Sequence, residues 1–175
     1  MRATVKLTAI AAAVLVLLTG CAATVALKPA ASATSAACAT VVAQLPQTVS
    51  TLDRRVTNAQ GTGAWGTPAD ILLYCGVPVP GPSTLPCSSV NGIDWLLNAS
   101  SSNAFVFTTY GRNPAVSVKI DTKDVKADGN AALTDLSLAV GTIPALHHCN
   151  TTGETLEGGQ PISTTTPSPT PTPTN

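Results

Sequence analysis

Five cysteines constrain the fold of this 175-residue chain more than any other feature, and they are unevenly placed. Cys38, Cys75, Cys87 and Cys149 are spread across the middle, whereas Cys21 closes an apolar run near the start. Set apart from Cys21, the four form an even set, as in a domain that matures in an oxidising compartment, and they allow three pairings. The favoured pairing joins Cys75 to Cys87, closing a Pro/Gly-rich loop, and Cys38 to Cys149, tying the first helix to the end of the domain. On a chain-entropy account such bonds contribute about 3 and about 4.7 kcal/mol.

Cys21 has a different expected fate. Arg2 and Lys6 precede the apolar run Ala9–Leu18, which ends in Leu18-Thr19-Gly20-Cys21. That ending resembles the bacterial lipobox, in which small residues admit the backbone to a signal peptidase and the thiol takes a diacylglyceryl group before cleavage. Two acyl chains, at about 0.8 kcal/mol per buried methylene, suffice for stable anchoring. Residues 1–20 then form a lipoprotein signal peptide, and 21–34 an anchor with a short flexible spacer at Lys28–Ala33. A second reading takes Leu7–Leu27 as an uncleaved signal anchor, since ~20 apolar residues span a bilayer. Positive charge at Arg2 and Lys6 orients both alike. Either way the domain is expected at the plasma membrane, on its extracytoplasmic side.

Residues 35–160 are expected to fold, and 161–175 to form a disordered Thr/Pro-rich tail: Ser163–Asn175 contain only Ser, Thr, Pro and Asn, a polyproline II composition. Six aromatic residues in the whole chain imply an aliphatic core, with Trp65 and Trp95 its largest pieces. Without Arg2 and Lys6, seven basic and nine acidic side chains remain, and no basic cluster exceeds Arg54-Arg55. Nucleic acid is therefore not an expected partner.

Thr34 or Ser35 can cap a helix carrying Cys38, Val41, Val42 and Leu45 on one side, ended by Pro46. Leu52–Asn58 is ambiguous, Gly61–Gly66 reads as a loop, and Ile71–Val77 as a buried strand followed by a rigid proline loop. Val90-Asn91-Gly92-Ile93 carries a tight-hairpin signal. Phe105–Tyr110 and Ala115–Ile120 read as a β-hairpin turned at Gly111–Pro114. Asn130 can cap a last helix with Leu133, Leu136 and Val140 on one side and Gly141 as its stop. The expected class is α+β: a small antiparallel sheet with helices at both ends of the domain, stapled by two disulfides.

Motifs for chemistry are weak. Gly61-Thr62-Gly63-Ala64-Trp65-Gly66 matches G-x-G-x-x-G but lacks the strand before it, so a turn is expected and no cofactor. Asp124, Asp128, Gly129 and Asp135 partly match a calcium loop, with Lys126 where a carboxylate belongs. His147-His148 precede a cysteine expected in a disulfide, and adjacent side chains diverge, so no metal is expected. No nucleophile or metalloprotease motif is present, and no catalytic residue is assigned. A cluster of Arg54, Arg55, Trp65, Trp95 and Arg112 around a cleft is a candidate ligand patch.

Several segments together resemble an actinobacterial family, domain of unknown function 3515. They are Cys38 with Leu45–Val49, Arg54-Arg55, Ala64–Pro68, Leu72–Pro78, Cys87–Trp95, Phe107–Ile120 and Leu133–Ser137. Tyr74 departs from the basic residue associated with the position before Cys-Gly. The resemblance implies an exported, membrane-attached protein, with Trp65, Trp95, Cys75 and Cys87 as framework, and it carries no activity. The expected function is a non-enzymatic binding or interaction module of the cell envelope, meeting a cell-wall component or an envelope protein. The alternative is a hydrolase or transferase acting on envelope polymers, in which His147 or His148 meets a carboxylate and a nucleophile in a pocket.

Overall fold

A computed structural model describes residues 23–123 and 127–149. The expected signal segment with Cys21, the expected tail at 161–175, and Asp124 and Lys126 of the calcium-loop match lie outside the described residues.

Helix α1 (Ala36–Ala43) starts where the Ser35 side chain accepts a hydrogen bond from Cys38 N, 3.2 Å away, satisfying an amide with no partner inside the helix. Eight strands follow: β1 (Thr48–Val49), β2 (Leu52–Arg55), β3 (Thr62–Trp65), β4 (Ile71–Val77), β5 (Cys87–Val90), β6 (Ile93–Ser101), β7 (Ala104–Thr109) and β8 (Ala115–Asp121). Helix α2 (Gly129–Val140) comes last. Asp128 caps it, its carboxylate accepting from Ala131 N at 2.9 Å, so the cap falls two residues before Asn130.

The strands form one antiparallel sheet in the order β1-β2-β3-β4-β8-β7-β6-β5. Antiparallel sheet, terminal helices and two disulfides match expectation, but the sheet is large and the fold mostly β. The extra strands come from the segments read as ambiguous and as loop. Leu52–Arg55 pairs on both sides, and every residue of Thr62–Trp65 is buried. Gly63 suits that strand because a Cβ there would strike the Trp65 ring and Leu45. The Ser50-Thr51 turn between β1 and β2 has positive φ at both residues without glycine. Ser50 is held there by Asp135, which accepts from its amide at 2.8 Å, and by its own hydroxyl, which accepts from Asp128 N at 2.8 Å.

Both expected hairpins form. Asn91 and Gly92, at φ 49° and 75°, make the two-residue turn between β5 and β6. Helix α2 packs against both β1 and β5, the two edges of the sheet, so the sheet curls around its core. The inner face carries Trp65, Ile71, Leu73, Cys75, Val116 and Val118 beneath α1 and α2. Each such aliphatic side chain contributes about 1.5–3 kcal/mol when taken from water.

The disulfides are Cys38–Cys75 and Cys87–Cys149, with Cα separations of 5.5 and 6.4 Å, which corrects the expected pairing. Strand register supplies the reason. Cys75, Val116 and Trp95 lie on the row facing the helices, whereas Tyr74, Ser117, Thr108, Leu96 and Cys87 lie on the row facing out. Cys75 and Cys87 therefore sit on opposite faces of one sheet, and Cys38, on the buried side of α1, is the partner within reach of Cys75.

Candidate functional site

The expected ligand patch does not assemble. Trp65 and Trp95 are wholly buried core residues, and Trp65 Nε1 donates to Pro46 O at 3.1 Å. Arg54 donates to Leu45 O at 3.0 Å and Val42 O at 3.3 Å, satisfying carbonyls at the end of α1 where a cation is also favoured by the helix dipole. Arg55 donates to Gly66 O at 3.0 Å, Thr67 Oγ1 at 2.8 Å and Ala23 O at 2.6 Å. Arg112, buried in the turn after β7, donates to Ile143 O and to Gly92 O. Burial lowers the Arg112 pKa, opposed by the nearby Asp94 charge, and burial also lowers that of Arg54. The patch fails for two reasons: in a core poor in aromatics the tryptophans are needed inside, and the guanidinium forks bind backbone carbonyls.

Arg54 and Arg55 do line a groove of about 490 Å³, with Gln47, Thr57 and Gln60. The arginine donors named above already serve backbone carbonyls, Ala23 O among them.

His148 meets a carboxylate. Its Nδ1 lies 3.0 Å from Asp94 Oδ2, and the same oxygen accepts from Cys149 N at 3.0 Å. The His148 side chain is 68% exposed, and neither histidine lines a groove described here. The third member of this contact is a backbone amide rather than a nucleophile. Asp94 thus fixes the segment carrying Cys149. Among the described residues no group of three His, Cys, Asp or Glu side chains is placed to hold a metal ion. Asp128 and Asp135, from the calcium-loop match, instead cap α2 and hold Ser50.

The second groove, about 410 Å³, lies on the outer face of β4, β8, β7 and β6 under the proline loop. Pro78, Pro80 and Leu85 form one wall, and Asn98, Thr108 and Ser117 the floor. Prolines make this wall rigid, since each fixes φ and offers no amide donor. Hydroxyl and amide groups face aliphatic carbon there, and no charged side chain lines it. Nothing in the sequence pointed to this groove except the alternating prolines, because its floor is gathered from three strands that only the sheet order makes neighbours. Tyr74, beside Ser117 on the same face, is half-buried, and burial raises its phenol pKa.

Comparisons with curated proteins and with solved structures found no match. A family model described as "Protein of unknown function (DUF3515)" matches residues 3–147, most of the chain, and the protein belongs to that family.

Proposed function

We propose that this protein is an extracytoplasmic lipoprotein, anchored at the plasma membrane through Cys21, whose domain is a non-enzymatic binding module of the cell envelope. The observation that carries the reading is the cysteine inventory. Four of five cysteines are joined in two disulfides, so the fifth, in Leu18-Thr19-Gly20-Cys21, has no cysteine of its own chain left to pair with. Disulfides of this kind also favour an oxidising compartment.

The backbone at 23–27 favours lipid over an uncleaved helix. It is extended, and Val25 pairs in parallel with Thr57. A helix begun at Leu7 and stopped before Ala23 has sixteen residues, about 24 Å at 1.5 Å each, short of a ~30 Å hydrocarbon core. No helix among the described residues is long and apolar enough to cross a membrane.

For the binding role, the outer-face groove suits an uncharged, extended ligand such as a glycan strand or peptide of the cell wall: rigid aliphatic wall, hydrogen-bonding floor, no fixed charge. The anchor is tested by intact mass, lipid labelling and membrane fractionation of wild type beside Cys21→Ala. The substitution is expected to abolish label and membrane association, and unchanged labelling and fractionation would refute the anchor. The binding role is tested with purified wall fragments and a Ser117→Trp variant that fills the groove, expected to lose the retention shown by wild type.

A further inference from the structure

We infer that the domain lies directly against the phospholipid headgroups by the surface around the end of β2, with the outer-face groove turned away from the membrane. This rests on Cys21 as the lipid anchor and goes beyond it by fixing which surface meets the bilayer.

The argument begins with the leash. The chain is docked from its first described residue. Arg55 Nη2 donates to Ala23 O at 2.6 Å, Val25 N donates to Val56 O at 2.8 Å, and Leu27 N donates to Asn58 Oδ1 at 2.7 Å. Further on, Ser32 N donates to Gly76 O at 3.0 Å, and Ala33 is buried. Gly76, at φ +90°, is required there, since a Cβ would overlap the Ser32 backbone. Lys28–Ala33, expected as a flexible spacer, is thus part of the fold.

Only Ala22 separates Cys21 from the held Ala23. Two Cα steps reach at most ~7 Å. The headgroup layer on each side of a bilayer is about 6 Å deep, by difference between ~30 Å of hydrocarbon and ~42 Å overall. A leash that short brings the surface around the end of β2 into contact with headgroups. The surface there fits such contact: Val56 is 68% exposed, Thr67 and Pro68 are exposed, and Arg55 supplies a cation. Asp53 is the one carboxylate on β2, and Lys28, exposed in the docked N-terminal segment, adds a cation.

The curl of the sheet decides where the groove points. In the strand order, β7 is four strands from β2, and α2 closes the gap between β1 and β5. Strands that far apart on a sheet curled around one core turn their outer faces in opposite directions. The proline-walled groove over β8, β7 and β6 therefore opens away from the lipid.

The test uses full-length acylated protein, its lipid verified by mass, in phosphatidylcholine vesicles carrying a headgroup-region spin label. Val56→Trp is compared with Val79→Trp; Val79 is 47% exposed in the proline loop. The native Trp65 and Trp95 are buried and give a background common to both. Val56→Trp emission is expected to shift to the blue and be quenched on vesicles, and Val79→Trp emission to be unchanged. A twenty-residue Gly/Ser insertion after Ala22, reaching ~25 Å, is expected to abolish the difference. Equal quenching at both positions, or indifference to the insertion, would overturn the orientation while leaving the anchor intact. Failure of the anchor shows separately, as absence of lipid in the mass.

Discussion

The two disulfides do different work, although loop length ranks them nearly alike. Cys38–Cys75 spans 37 residues and Cys87–Cys149 spans 62, worth about 3.8 and about 4.3 kcal/mol on chain entropy alone. Their surroundings differ far more. Cys38 and Cys75 are wholly buried between α1 and the inner face of β4, inside the main core. Cys87 and Cys149 are half-exposed at the edge, where the bond holds only the segment after α2 to the outer face of β5. One bond joins layers of the core, and the other clips a strap to a finished domain. Sequence separation measures what each bond removes from the unfolded chain, and burial measures what each removal leaves in the folded one.

The largest expected effect therefore comes from the shorter loop. Cys38→Ala/Cys75→Ala should lose about 5 kcal/mol, the entropy term plus a cavity where two buried sulfurs stood. The check is the denaturant midpoint, or absence of a folded state at 37 °C. Equal losses from both double variants would show that packing around the sulfurs contributes little. Cys87→Ser/Cys149→Ser should cost less, about 2–4 kcal/mol, because the strap can leave without opening the core. Hydrogen exchange should then rise over residues 141–149 while β4 and β8 stay protected.

The smallest effect isolates the strap's polar contacts. Asp94→Asn weakens the acceptor for Cys149 N and His148 and removes the charge facing buried Arg112. A loss of about 1–3 kcal/mol is expected, read as a thermal-melt shift with both disulfides intact. No change would mean that the bonds of Arg112 to Ile143 O and Gly92 O hold it without the Asp94 charge. Close contact already limits this strap's freedom: Gly111 O accepts from Leu146 N at 2.6 Å, and a Cβ on Gly111 would overlap the His147 backbone.

Much of the fold was legible where local chemistry acts alone. The Ser35 cap, the Asn91-Gly92 turn and the hairpin of β7 and β8 follow from dihedral preferences and period-two alternation, which need no distant partner. Leu52–Arg55 and Thr62–Trp65 were not legible, because their extended form comes from pairing with β1 and β4 rather than from β-prone side chains. The candidate patch was misread for a related reason. Arg54, Trp65 and Arg112 look available as a list, and the structure commits each to a carbonyl left free by a neighbouring element.

By itself, the sequence determined that four cysteines stand apart from Cys21, that two early charges and an apolar run precede them, and that rigid prolines follow Ile71–Val77. These are properties of residue type and order along one chain. Only the tertiary structure decided which cysteines meet, where the prolines stand over a groove, and that Ala23 is held by Arg55. The physical reason is parity and curl. A side chain's face depends on strand register, and its neighbours depend on how eight strands close around a core.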